Sequence, residues 1–101
     1  ENNWGLYSLG LLYHQQGRLD EAVKWYGKVD PANLGEWERK ALINLSEIHI
    51  KKGRYAEAEK IMAGLLERLP DYSAALNNYA MTLYRQGREG WWKPLVKSWR
   101  V

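Results

Sequence analysis

A Gly-Arg pair occurs three times in this chain of 101 residues, at Gly17-Arg18, Gly53-Arg54 and Gly87-Arg88, with spacings of 36 and 34 residues. Self-similarity at such a period limits a chain to stacked copies of one supersecondary unit, each too small to bury its own apolar face. Aligned on these glycines, the preceding residues fall into columns. Eleven positions before the glycine stands Leu6, Leu42 or Leu76; eight before, Leu9, Leu45 or Tyr79. Seven before is always small: Gly10, Ser46 or Ala80. Five before stands Leu12, Ile48 or Thr82, and four before, Tyr13, His49 or Leu83. Steps of three and four place these columns on one face of a helix.

A second apolar stripe follows the first two glycines. Leu19, Ala22, Val23, Tyr26 and Val29 form one copy; Tyr55, Ala58, Met62 and Leu65 form the other. Asp20, Glu21 and Glu57 sit early in these segments, where a carboxylate complements the helix dipole. Gly17 and Gly53 suit the left-handed position that ends a helix. Ala22 and Ala58 supply small surfaces opposite the small column, as a close helix pair requires. The spacing predicts helices at about 3–16, 19–30, 35–52, 55–69 and 72–86, with a short one near 94–101. Pro31 comes early relative to Pro70, which shortens the second helix by about a turn. Asn33 with Glu36 three residues on forms a candidate capping pair for the third.

The columns resemble the tetratricopeptide repeat, a helix-turn-helix with the signature W-x2-L-G-x2-Y, then G, then A-x3-F, then P. The first copy here reads Leu6-x2-Leu9-Gly10-x2-Tyr13, Gly17, Ala22-x3-Tyr26, Pro31. The second reads Leu42-x2-Leu45-Ser46-x2-His49, Gly53, Ala58-x3-Met62, Pro70; the third reads Leu76-x2-Tyr79-Ala80-x2-Leu83, Gly87, and then stops matching. The resemblance implies an all-α superhelix, or solenoid, of about two and a half to three helical hairpins with an atypical C-terminal helix. Residues 1–88 would form the repeat domain, with repeats at about 3–34, 35–70 and a partial one at 71–88. Residues 89–101 would be a Trp-rich capping or docking segment.

The resemblance also implies a function: a protein-protein interaction module, scaffold or adaptor, that binds a peptide or partner protein along a concave face lined by the first helix of each repeat. By that analogy the groove holds Trp4, Tyr7, Leu11 and His14 in the first repeat. It holds Lys40, Ile43, Glu47, Ile50 and Lys51 in the second, and Asn77, Met81, Tyr84 and Arg85 in the third. The set is largely apolar and aromatic with a few basic residues, which suits a bulky apolar peptide with acidic neighbours. Members of the family that clamp a C-terminal carboxylate place Lys and Asn where this chain has Tyr7 and Leu11, so the implied ligand is of another kind.

Two other functions remain open. One is RNA binding, since related helical repeats read RNA and basic-aromatic surfaces stack bases. The other is an assembly or regulatory segment of a larger enzyme or secretion-system protein. The net charge of +3 is mild and lies in the last third: residues 1–33 carry −1, residues 34–70 carry +1 and residues 71–101 carry +3. A nucleic-acid footprint is ordinarily a broader basic stripe, so nucleic acid is the weaker expectation.

Catalytic chemistry finds little support. The chain has no cysteine, which removes disulfides, thiolate metal sites and thiol nucleophiles together. His14 and His49 are far apart in sequence and lack the local spacing of a metal pair; His49 falls in a core column and reads as a packed histidine. Glu36–Lys40 and Glu47–Lys51, at i,i+4, read as surface ion pairs. No serine has a nucleophile-elbow context. The expectation is therefore no enzyme, no metal and no cofactor. No apolar run reaches the 18 residues of a membrane-span candidate. A start at Glu1 rather than Met suggests a processed or excised piece, and the cytoplasm is the favoured compartment.

The C-terminal segment breaks the pattern. Residues 91–101 hold three of the six tryptophans, Trp91, Trp92 and Trp99. Pro94 suits a first helical turn, with Leu95, Val96 and Trp99 on one face after it. Three readings stay open: a terminal helix that closes the stack; a docking tail (Trp91, Trp92, Leu95, Trp99) that seats in its own or a neighbouring chain and gives a homodimer; or a sequence unrelated to the repeat.

Overall fold

A computed structural model describes residues 2–94 of the chain. Among them are five helices: α1 (Asn3–Gln15), α2 (Leu19–Tyr26), α3 (Glu36–Lys51), α4 (Tyr55–Arg68) and α5 (Ser73–Arg85). The short helix expected near 94–101 falls, Pro94 apart, outside the described residues.

The three Gly-Arg steps form one structure repeated three times. Gly17, Gly53 and Gly87 have φ of 78°, 77° and 69°. After α1, the Arg18 N–H donates to the Tyr13 carbonyl (2.9 Å) and the Gly17 N–H to the His14 carbonyl (3.0 Å). After α3 the pairs are Arg54 to His49 (2.8 Å) and Gly53 to Ile50 (3.0 Å); after α5 they are Arg88 to Leu83 and Gly87 to Tyr84, both 3.0 Å. This double bond is the Schellman cap, which satisfies the last carbonyls of a helix and needs a left-handed residue at the glycine. Glycine takes that conformation without the clash that a Cβ meets. Neither α2 nor α4 has a side-chain cap at its start; Asp20, Glu21 and Glu57 lie in their first turns.

α2 stops four residues short of the expected 30. Gly27 closes it, and Lys28 and Val29 donate three residues back, to Trp25 and Tyr26 (both 3.2 Å). The residue before a proline avoids the α conformation, so Asp30 cannot extend the helix. The tightened turn still buries Val29. The start of α3 also differs from the expected Asn33–Glu36 pair, because Glu38 takes the capping role. The Asn3 side chain, the Glu38 backbone N–H and the Gly35 backbone N–H together hold the Glu38 carboxyl below its usual range.

The chain divides into two compact units, residues 1–48 and residues 49–101, at a boundary inside α3. In the first, α1 and α2 pack together across the Gly17 turn. Gly10 lies against the Tyr26 ring so closely that a Cβ on it would sit 2.5 Å from Cδ1. Tyr26 is fully buried; its hydroxyl meets Asn44 Nδ2 and His14 Nδ1, each at 3.2 Å. The Tyr7 ring stands between Tyr26 (centroids 6.1 Å) and Trp37 of α3 (5.6 Å). Asn3 fastens the start of α1 to the α2–α3 connection: its amide donates to the Asp30 carbonyl (3.0 Å) and to Glu38 Oε2 (2.8 Å), and its oxygen accepts from the Asp30 N–H (3.1 Å).

In the second unit α4 packs on α5. Ala58, Met62, Leu65, Ala75, Leu76, Ala80 and Leu83 are buried there. The Arg88 guanidinium, just past the end of α5, pairs with Glu59 of α4 at 2.8 Å. Burying a large apolar side chain such as Met62 or Leu65 stabilises by about 1.5–3 kcal/mol relative to exposure. The buried hydroxyl of Thr82 bonds back to the Asn78 carbonyl at 2.8 Å, so it occupies an apolar column without an unpaired donor.

Candidate interaction surfaces

The three first helices treat equivalent columns differently. In α3 the columns of Leu9 and Leu12 hold Leu45 and Ile48, and in α5 they hold Tyr79 and Thr82. Ile48 is 1% and Thr82 0% exposed, whereas Leu9 is 38% and Leu12 50% exposed. Read from the spacing, all six belong to a core face. The physical reason for the difference is the partner: α5 packs against the helix that precedes it, while among the described residues no helix precedes α1. Trp4 is exposed on the same helix. Beside it lies an open apolar hollow of about 480 Å³, walled by Asn2, Trp4, Gly5, Leu6, Ser8, Leu9 and Trp25. The Trp25 indole nitrogen is buried and finds no hydrogen-bond partner among the described residues.

The residues expected to line a groove divide into three groups. Trp4, Lys40, Glu47, Lys51, Asn77, Met81, Tyr84 and Arg85 are exposed. Leu11 and His14 are half-buried, and His14 is turned toward the Tyr26 hydroxyl. Tyr7, Ile43 and Ile50 are buried and present almost no area to a partner. Tyr7 is inside because Tyr26 and Trp37 enclose its ring, a contact between distant residues that no local spacing reveals. Lys40 pairs with Glu36 at 2.9 Å, as the i,i+4 spacing predicts.

α5 carries four of these exposed residues. Asn77, Met81, Tyr84 and Arg85 stand at steps of four, three and one, so they run along a single stripe, and Tyr84 is 62% exposed. The stripe continues into the following turn, where the Trp91 ring meets Tyr84 edge to face with centroids 5.0 Å apart. Trp91 and Trp92 are exposed, while Leu95 and Trp99 lie outside the described residues.

His49 is buried in the column that the repeat assigns to packing, and its Nδ1 has no hydrogen-bond partner among the described residues. Burial, then the neighbouring Arg54 and Lys52, push its pKa down, against a smaller upward pull from Glu57. Among the described residues no three His, Asp or Glu side chains converge as a metal site, and no helix is long and apolar enough to cross a membrane.

Repeated caps, a small-residue column against a second helix, and hairpins in series define a helical-repeat protein. Sequence comparison agrees: one tetratricopeptide repeat profile matches residues 36–89 and a second matches residues 5–30. The first alone spans more than half of the chain, and the protein belongs to the tetratricopeptide repeat family. A separate search of curated proteins finds no match. Domains of this family generally mediate protein-protein interaction and are typically non-catalytic scaffolds.

Proposed function

We propose that this chain is a scaffold or adaptor module whose partner is a polypeptide with bulky apolar side chains, held by exposed residues of the first helices. The stripe Asn77, Met81, Tyr84 and Arg85 on α5 carries the reading. It sets two large apolar side chains between an amide and a guanidinium, all at the surface. Apolar and aromatic residues ringed by hydrogen-bonding groups are the usual make-up of interface hot spots. Trp4 on α1 and Lys40, Glu47 and Lys51 on α3 are further exposed candidates in the same helix class, considered helix by helix. Tyr7, Ile43 and Ile50 instead support those helices from inside.

The test is capture of partners by the whole chain and by a Met81→Ala/Tyr84→Ala variant with circular dichroism held equal. Both side chains are exposed, so helicity should be retained while captured partner falls at least tenfold. Undiminished capture removes the α5 stripe from the function. A competing RNA reading predicts affinity that falls steeply with salt; capture insensitive to nuclease and weakly dependent on salt excludes it.

A further inference from the structure

The open face of α1 has a covered counterpart inside the same chain. Leu9 and Leu12 are exposed, and the hollow of about 480 Å³ beside Leu9 lies between Trp4 and Trp25. None of the residues around that hollow is charged, and α1 from Asn3 to Gln15 carries no Asp, Glu, Lys or Arg. A helix without a charged face is ordinarily covered on all sides, and exposed apolar area gathered in one place marks a contact surface. α5 shows what covers these columns. Its Thr82, the counterpart of Leu12, is fully buried, and α5 packs on α4, the second helix of the preceding hairpin. The face of α1 is therefore suited to the apolar stripe of a second helix.

The sequence holds a third such stripe. Counted from the turn glycines, apolar residues stand at steps 8, 9 and 12: Trp25, Tyr26 and Val29 after Gly17, and Ile61, Met62 and Leu65 after Gly53. After Gly87 the same steps give Leu95, Val96 and Trp99, which lie outside the described residues. Step 5, Ala22 and Ala58 in the first two copies, is Trp92 in the third, so only the part beyond it repeats. Step 10 is Gly27, Ala63 and Lys97; the first two are exposed, so the Lys97 charge falls in a solvent column. The first two stripes are each followed by a first helix, α3 after α2 and α5 after α4. The third has the residues of a second-helix stripe, and α1 has the face that such a stripe covers. The two surfaces are complementary but not the same, so a contact between copies through them is heterologous.

We infer that the stripe Leu95, Val96 and Trp99 of one copy covers the α1 face (Trp4, Leu9, Leu12 and Trp25) of a second copy, so that the chain associates head to tail and continues its repeat stacking from molecule to molecule. Contacts of this kind generate rings or open chains. The association uses neither Met81 nor Tyr84 and goes beyond the partner binding proposed above.

The experiment follows the mass of the whole chain by sedimentation equilibrium over a wide concentration range. The mass should climb past that of a dimer as concentration rises. Leu9→Asp/Leu12→Asp and Val96→Asp/Trp99→Asp should each weaken self-association by about tenfold or more. Mixed together, the two variants should form a one-to-one pair and nothing larger, because one keeps the stripe and the other keeps the α1 face. Leu9 and Leu12 are exposed, so the first variant should retain its helical circular dichroism. Should the second lose helicity, a synthetic peptide of residues 91–101 decides. It should shift the Trp4 and Trp25 indole N–H resonances of the isotope-labelled wild-type chain and leave Trp25 of the Leu9→Asp/Leu12→Asp variant in place. A chain that stays monomeric at millimolar concentration, association that survives either double variant, or a mixture that does not pair overturns the inference. So does a peptide whose shifts are confined to Trp91 and Trp92, which would seat the stripe on its own hairpin.

Discussion

Replacing Gly10 with alanine should destabilise the protein, although alanine is the better helix former. In the middle of a helix the exchange by itself is worth about 1 kcal/mol in favour of alanine. Against it, the added Cβ would lie 2.5 and 2.6 Å from Cδ1 and Cε1 of Tyr26, where ordinary contact begins at 3.4 Å. The ring must therefore withdraw by close to an ångström. It is fully buried, and its hydroxyl contacts to Asn44 and His14 are already 3.2 Å long. Overpacking of this kind costs about 1–3 kcal/mol, and a weakened buried hydrogen bond adds about 1 kcal/mol. The expected net loss is about 2 kcal/mol, read as a shift of the urea midpoint followed by circular dichroism with the slope unchanged. The second repeat carries Ser46 and Met62 in the same two columns, both fully buried. A flexible thioether should accommodate the methyl that an aromatic ring refuses. In a Tyr26→Met background Gly10→Ala should thus become neutral or stabilising, a coupling of about 2–3 kcal/mol in the double-mutant cycle. A Gly10→Ala protein more stable than the parent with Tyr26 in place would refute the steric argument.

Two other glycines should respond with opposite sign: Gly53→Ala, at φ 77° in the Schellman cap, should cost about 1 kcal/mol, and Gly64→Ala, in the exposed middle of α4 with open space around it, should gain about 0.5–1 kcal/mol in the same urea assay. Tyr26 has its pKa pushed up to about 12, first by burial, against a lowering hydrogen bond from Asn44. Its neutral form is favoured in the folded state, so its contribution is complete below the unfolded value of 10 and is lost as pH rises toward 12; absorbance at 295 nm should show one phenol ionising late, and Tyr26→Phe should abolish that step. His49 has the reverse dependence, because its neutral form is the one that folding favours: stability should be full above pH 6.5 and fall on acidification below it. His49→Leu, which copies Leu83 of the third repeat and removes the unpaired Nδ1, should flatten that acid limb and raise stability by about 1 kcal/mol; an unchanged acid limb in this variant would assign the pH dependence to other groups.

Much of the fold was legible in the primary structure because helix caps and packing columns are local. The Gly-Arg steps required a left-handed residue at fixed intervals, and all three became the same double-bonded cap. The small column at 10, 46 and 80 announced a close approach, and all three residues are buried. His49 followed its column inside, and Pro31 foretold a shortened α2. What spacing could not supply was the partner of each face. Leu9 and Leu12 share their columns with Ile48 and Thr82 yet stand in solvent. Tyr7 looks like a surface residue by its register, but Tyr26 and Trp37 enclose it. Asn3 and Glu38 gave no signal at all, because their bond joins residues 35 positions apart.

The sequence by itself determined which segments are helical and where glycine closes α1, α3 and α5, since those choices depend on dihedral preferences and on neighbours three and four residues away. Only the tertiary structure decided which side of a helix is covered, because burial depends on whether another element is present at that surface. An amphipathic stripe states that a face can be buried; the neighbouring helix determines that it is.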